Sequence, residues 1–397
     1  MHIPGNPTHD VATATEPAAS GPLAGVRIVE SSSYLTGPYT SVMLADLGAQ
    51  VIKVEPPGGD AFRRFGHGKN GLSALWTSAN RGKQSIVLDL KSEDGLATMK
   101  RLLAGADVLV ENWRPHVAAS LGLGQDVVAK LNGRLVRLSI TGFGPSGPMA
   151  AKPAYDSLIQ GHTGMVDLLR SSGDSSGRPS GRPDVAPYWV VDKVVATFGA
   201  QAVTAALYAR EKSGKGSHVS LPMLDVMTYF NFPDMFQHRT FVGDTTPWKP
   251  AFCPVVRTAD GYLVITPVSG AQMSRTLKAL DRADIKAELL AIDDPVRMAD
   301  TFYRRIGEIL ITMPSAHWLA LFESFDLPVA PVRSLEEHLA DPQVAHNAMY
   351  REIESPAGPI RAVRYPAEFD GARTAAPAGP PRVDEHAARI RDALARP

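Results

Sequence analysis

The stretch that most constrains the fold lies near the start of the chain. Gly25 to Glu30 (GVRIVE) reads as a short buried strand, Pro38 to Leu47 (PYTSVMLADL) as a helix, and Ala49 to Val54 (AQVIKV) as a second strand. Strand, helix and strand within about 30 residues predict a parallel βαβ unit. The alternation continues through strands at Ser85 to Leu90, Ala106 to Glu111 and Leu135 to Ile140. A helix is predicted over Ser92 to Ala104, with Glu93 and Asp94 in its first turn, where the helix dipole favours acids. The first 140 residues therefore predict an α/β fold built on a Rossmann-like open parallel sheet.

The pattern then loosens. Residues 1–21 are rich in Pro, Thr, Ala and Ser and lack an apolar h-region, so they read as a disordered tail and not a signal peptide. Residues 22–225 are read as one large domain. Within it, 142–153 and 171–187 are Gly/Pro-rich connections, of the kind that tend to be functional or disordered. Helical patterns occupy about 155–169 and 192–211, and the second is apolar on most sides, which predicts burial. Residues 226–250 read as a linker. Residues 251–330 read as a smaller α+β domain, with an Asp260-Gly261 turn before a strand from Tyr262 to Thr266. Residues 331–397 read as a second linker and a C-terminal segment ending in a charged helix at 384–395.

Lys plus Arg and Asp plus Glu each number 41, so the chain carries no net charge and no footprint for nucleic acid or an anionic membrane. A local basic pocket for a small anion stays open. The one cysteine, Cys253, cannot form an intramolecular disulfide; inside an apolar run it reads as a small buried hydrophobe. No apolar run of about 18 residues stands out, so no membrane-spanning helix is expected, and a cytoplasmic location is the default. The histidines are scattered without ligand spacing, and no metal site is expected. No GxSxG elbow is present.

Glu55 closes the second strand where a ribose-binding acid sits in dinucleotide folds. The preceding turn, Ser33-Tyr34-Leu35-Thr36-Gly37-Pro38, lacks the glycines that let backbone approach a pyrophosphate, which argues against NAD or FAD. Gly37-Pro38 reads instead as a tight helix entry with Pro in the first turn. Basic residues gather near strand ends: Arg63 and Arg64 after Gly58-Gly59-Asp60, then Arg81 and Lys83, then Arg114 after Glu111-Asn112. Each is either solvated surface charge or part of a site for an anionic ligand at the carboxyl ends of strands. Asp192 opens the apolar helix after Tyr188-Trp189-Val190-Val191. It is either an ordinary N-cap, worth about 1 kcal/mol, or a partly desolvated carboxylate nucleophile.

Taken in order, several blocks resemble the family III (CaiB/BaiF) CoA-transferases over roughly 22–390. They are GPLAGVRIVE and TGPYTSVMLADLGAQVIKVEPPGGD, then NRGKQSIVLDLKSEDG, ADVLVENWRP, TGFGPSGP and AYDSLIQGHTG, then VVDKVVATFGAQAVTAALYAREKSGKGSHVSLPMLD and DLPVAPVRSLEEHLADPQV. The resemblance implies that Asp192 is the catalytic aspartate and that Tyr155 lies near the CoA thioester. It implies CoA or acyl-CoA contacts at Glu55 to Asp60, Arg63, Arg81, Lys83, Asn112 and Arg114, since CoA carries phosphates that Arg holds bidentately. It further implies acyl-CoA and carboxylic acid substrates, a C-terminal segment returning to the large domain, and an interlocked homodimer. The chain departs from the family pattern at Ser120, where an arginine is frequent, and at Leu35, where some members carry glutamine. The glycine run of formyl-CoA transferases is missing, with Val268-Ser269-Gly270 the nearest candidate. The same fold hosts α-methylacyl-CoA racemases, but their GHD motif reads Ala154-Tyr155-Asp156 here. The aromatic stretch Tyr229, Phe230, Phe232, Met235 and Phe236 is either core and interface or the lining for a bulky acid.

Overall fold

The computed structural model describes residues 21–169, 183–237, 239–245, 254–374 and 378–396. The expected tail, Cys253 and most of the 171–187 connection lie outside the described residues. The described residues form two compact units, one drawn from 21–166, 185–234 and 348–396, the other from 167–184 and 235–347.

The first unit is built on six parallel strands: β1 (Arg27–Ser31), β2 (Gln50–Glu55), β3 (Gln84–Val87), β4 (Val108–Glu111), β5 (Val136–Thr141) and β6 (His218–Pro222). Their order across the sheet is β3-β2-β1-β4-β5-β6, and every pairing is parallel. This is the doubly wound order, in which the winding reverses between β1 and β4 and leaves a crevice beyond the strands' carboxyl ends. Both faces of the central strands are covered, so most of their residues are apolar, with buried charges such as Glu30 and Lys53 set among them. Ile28, Val108 and Val110 join one core with Leu44, Val136, Leu138, Val195 and Val203. Val29 and Leu109 point the other way, into a second core with Ile86, Met99, Leu102, Leu103 and Ile390.

Five helices matter to the site: α1 (Thr36–Asp46), α2 (Glu93–Ala104), α3 (Asp156–His162), α4 (Val190–Ser213) and α5 (Met223–Met235). The side chain of Ser92 caps α2 by accepting from the Gly95 amide at 3.0 Å. α4 ends at Gly214, whose φ of +70° is the left-handed turn that glycine adopts at no steric cost. Among the described residues α4 alone is long and apolar enough to cross a membrane by length and composition. Val191, Val195, Val203 and Leu207 of α4 nevertheless pack into the sheet's core. Gly199 lets α4 approach α1 closely: a Cβ there would sit 2.9 Å from Thr40 Oγ1 and 3.1 Å from its methyl carbon. α5 occupies 226–235, the first part of the stretch read from sequence as a linker.

The second unit holds a small antiparallel sheet of Val255–Arg257, Tyr262–Ile265 and Val329–Pro331, with helices at Gly270–Ala279, Ala283–Leu290, Pro295–Leu310 and Ser315–Ser324. Its core gathers Leu263, Ile265, Phe302, Ile306, Trp318 and Phe322. Ser269 caps the first of these helices at 3.2 Å. The chain then returns to the first unit. Asp384 accepts from the Val87 amide at 2.6 Å, which covers the edge strand β3.

Beneath the crevice lies a dehydrated ionic cluster. Glu30 is fully buried and receives Lys53 at 2.8 Å, Lys83 at 2.6 Å and the Ser32 hydroxyl at 2.7 Å. Burial alone would raise the Glu30 pKa, but the two ammonium groups overcome it and hold the carboxyl at about 2. Its folded pKa lies below the ordinary glutamate value of 4.5, so its contribution is present above pH 4.5 and is lost as pH falls toward 2. Burial holds the Lys83 pKa down to about 7 even beside Glu30, so Glu30→Gln should leave Lys53 as the buried cation short of a counter-charge and cost about 3 kcal/mol in urea denaturation at pH 7. That difference should shrink below pH 4.5.

Candidate active site

Asp192 is the third residue of α4, and the N-cap position belongs to Trp189, whose side chain makes no capping bond. The cap reading of Asp192 is thereby corrected. The Asp192 amide donates to Oδ2 of Asp156, at the start of α3, at 3.1 Å. The other Asp156 oxygen accepts from Gln160 at 2.6 Å, and Gln160 in turn accepts from the Ala186 amide at 2.9 Å. With the backbone served by a buried neighbour, the Asp192 carboxylate is available for something else. Its Oδ1 accepts the hydroxyl of Thr36, the first residue of α1.

Four influences set the charge on Asp192. Burial raises its pKa most, the Thr36 hydrogen bond lowers it, the nearby Asp156 charge raises it and the Lys193 charge lowers it, giving a value of about 6. The group is therefore mostly ionised at neutral pH, yet more basic than an ordinary carboxylate. The positive end of the α4 dipole favours the anion. A desolvated carboxylate of this kind is a better nucleophile than a hydrated one.

Asp192 opens into a cavity of about 730 Å³, lined by residues of the first unit. That is within the range of sites for small molecules and cofactors. The walls come from the loops after β1 (Ser33 to Thr36), β4 (Asn112 to Pro115) and β5 (Gly142, then Ala150 to Ser157), together with Phe62, Phe65, Trp189 and Met223. The crevice at the winding reversal is thus the cavity. Asn112 stitches its two sides together: its Oδ1 accepts from the Ser33 amide at 3.0 Å, and its Nδ2 donates to the Ser33 carbonyl at 2.9 Å. Gly37 lets the loop turn into α1, since a Cβ there would lie 2.3 Å from Ser32 Oγ. The neighbouring Tyr34 has φ of +63°, a left-handed conformation costing on the order of 1–3 kcal/mol in a bulky residue.

Of the residues singled out from sequence, Asp192, Tyr155, Asn112 and Arg114 come together in this lining. Arg114 and Lys152, the lining cations, make no ion pair among the described residues. Glu55, Arg63, Arg81 and Lys83 do not line the cavity, and their charges are engaged inside the protein. Arg63 forks onto Glu55 at 2.6 and 2.7 Å and stacks 3.8 Å over Trp76. Arg81 binds both oxygens of Asp46. Lys83 binds Glu30, the Pro38 carbonyl at 2.8 Å and Asn80 at 2.9 Å. The strand-end position of these residues is as expected, and their side chains hold loops together. The stretch Tyr229 to Phe236 does not line the cavity either. Sequence reasoning missed the roles of Thr36 and Asp156; their neighbours Gly37 and Tyr155 were the available signals.

Because the folded-state pKa of Asp192 is raised, the folded protein holds that proton more tightly than the unfolded chain. An ionised Asp192 is then a cost to stability above pH 6, relieved as pH falls toward 3.8. Asp192→Asn should raise stability at pH 7 by about 1–3 kcal/mol, read as a higher Tm, with the gain vanishing near pH 4.

Comparisons with known proteins agree with this geometry. The family model "CoA-transferase family III" matches residues 23–387. The chain is 32% identical to succinate–glutarate CoA-transferase of Agrobacterium fabrum, over 94% of this chain and 96% of that one. It is 32% identical to acetyl-CoA:oxalate CoA-transferase of Acetobacter aceti, over 97% and 99%. The crystal structure of a CaiB/BaiF family protein from Brucella suis superposes with a TM-score of 0.80 at 27% identity, covering 94% of this chain and 99% of that one. A doubly wound sheet with a basic, desolvated aspartate at its switch point is therefore, in this chain, the scaffold of an enzyme belonging to CoA-transferase family III.

Proposed function

We propose that this enzyme moves CoA from an acyl-CoA to a free carboxylic acid through covalent intermediates on Asp192. The supporting observation is the carboxylate itself: raised to a pKa of about 6, relieved of capping duty and open to a 730 Å³ cavity. An Asp192 oxygen attacks the thioester carbonyl and the C–S bond breaks, giving a mixed anhydride and CoA thiolate. The thiolate attacks the aspartyl carbonyl and expels the donor acid, leaving an aspartyl-CoA thioester. The acceptor carboxylate attacks that thioester to form a second anhydride and release thiolate. Attack of the thiolate on the acceptor carbonyl yields the new acyl-CoA and frees Asp192. Covalent steps replace an exchange between poor nucleophiles by several easier ones.

Tyr155 is half-exposed in the cavity, in reach of a bound thioester. Arg114 and Lys152 are the cations available to CoA phosphates, since Arg63, Arg81 and Lys83 are engaged elsewhere. Asp156 is 4% exposed and both its oxygens accept hydrogen bonds, which weighs against its serving as the second base of a racemase. Tyr208 on α4 and Tyr229 on α5 are 66% and 73% exposed, large rings left open to solvent, which supports a homodimer. Light scattering should then return twice the mass of one chain.

Incubation with a panel of acyl-CoAs and hydroxylamine should place a hydroxamate on Asp192, seen by peptide mass spectrometry. Deuterium wash-in at the α-carbon without an acceptor acid, and no adduct, would point to racemisation instead. The acid limb of the pH–rate profile should report an apparent pKa of about 6. Thr36→Val removes the hydrogen bond that lowers it, so the limb should move to higher pH.

A further inference from the structure

We infer that the aromatic wall beside Asp192 is the acyl pocket, and that it selects an acid with a bulky apolar group, aryl or branched alkyl, over a dicarboxylic acid. The inference rests on the transferase reading of Asp192. The wall consists of Tyr34, Phe62, Phe65, Tyr155 and Trp189, joined ring to ring with centroids 5.7–6.5 Å apart. All of them line the cavity that contains Asp192. They arrive from four segments: the loop after β1, the turn after β2, the residue before α3 and the residue before α4.

Rings that gather only to fill a core become buried. Phe62 does, at 3%, but Tyr34, Phe65, Tyr155 and Trp189 remain 37–55% exposed. Contiguous apolar surface left open in a concavity marks a surface that a ligand covers. Tyr34 is held in a left-handed conformation while its ring meets Tyr155 edge-on, a local strain of the kind that gathers at ligand clamps.

Position ties the wall to the acyl group and not to distant parts of CoA. Trp189 precedes Asp192 by three residues, and Tyr34 precedes by two the Thr36 whose hydroxyl binds the Asp192 carboxylate. A thioester carbonyl attacked by Asp192 therefore carries its acyl chain past these rings. A second carboxylate buried here would need a cation, because an unpaired charge in an apolar pocket is very costly. Among the described residues the cation–ring contacts fall on Trp76, Tyr188 and Tyr208, none of them in the wall. Arg114 and Lys152 line the same cavity from the loops after β4 and β5, outside the ring-to-ring wall, and the inference assigns them to the phosphates of CoA.

The test is calorimetric titration of phenylacetyl-CoA, acetyl-CoA and succinyl-CoA into the full-length Asp192→Asn protein, in which transfer cannot consume the ligand. Phenylacetyl-CoA should bind at least about tenfold more tightly than succinyl-CoA. In the same background, Phe65→Ala removes a ring that is 47% exposed and should reduce the preference for phenylacetyl-CoA over acetyl-CoA about tenfold. Phe65→Leu should keep most of that preference. Equal or tighter binding of succinyl-CoA, or a preference indifferent to Phe65→Ala, overturns the pocket. The transferase reading is judged separately on wild-type protein: no hydroxamate at Asp192 with any acyl-CoA thioester refutes it, while the binding ratios still decide the pocket.

Discussion

Glu30 lies fully buried at the carboxyl end of the strand from which the sheet reverses, with a lysine amine on either side. Lys53 comes from β2, Lys83 from just before β3, and Lys83 also holds the first turn of α1 through the Pro38 carbonyl. The cluster therefore ties the ends of three strands to the helix that presents Thr36. Removing one partner of such a group leaves an uncompensated charge, which is why the arrangement is rigid even where a neutral core could be as stable. Every group that faces the cavity from the β1 side inherits its position from this carboxylate.

Much of the first unit was legible because its physics is local. Central parallel strands covered on both faces are dominated by apolar residues, and GVRIVE, AQVIKV and ADVLVE each carry a run of Val, Ile or Leu around their few charged positions. Ser92 announces α2 as a side-chain cap should. The edge strand β6 carries no such signal: HVSLP is only half-buried and mixes polar with apolar residues. The basic loops illustrate a different limit. Arg81 and Lys83 find their acids 35 and 53 positions earlier in the chain, pairings that no local pattern announces. A cation at a strand end looks the same in sequence whether it awaits a phosphate or is already neutralised.

Asp192 shows that limit from the other side. Its place at the start of a long apolar helix was visible, but cap and nucleophile are indistinguishable until the partner 36 residues away is seen. Its elevated pKa and the left-handed backbone of Tyr34 are both departures from the most stable arrangement, and both fall in one cavity. Such departures persist where surrounding structure over-determines them. Here the surroundings are the close contact of α1 with α4 at Gly199 and the Asn112 stitch across the crevice.

The borrowed cap has a consequence for how this scaffold can change. A residue that terminates its own helix is bound to the few side chains that can accept from orphan amides. Position 192 is exempt, because Asp156 does that work from another segment. Shape and reactivity are thus written at separate positions. The side chain at 192 can be altered while the helix keeps its start, so a lineage with this architecture can abandon or exchange its chemistry and still inherit an intact cleft.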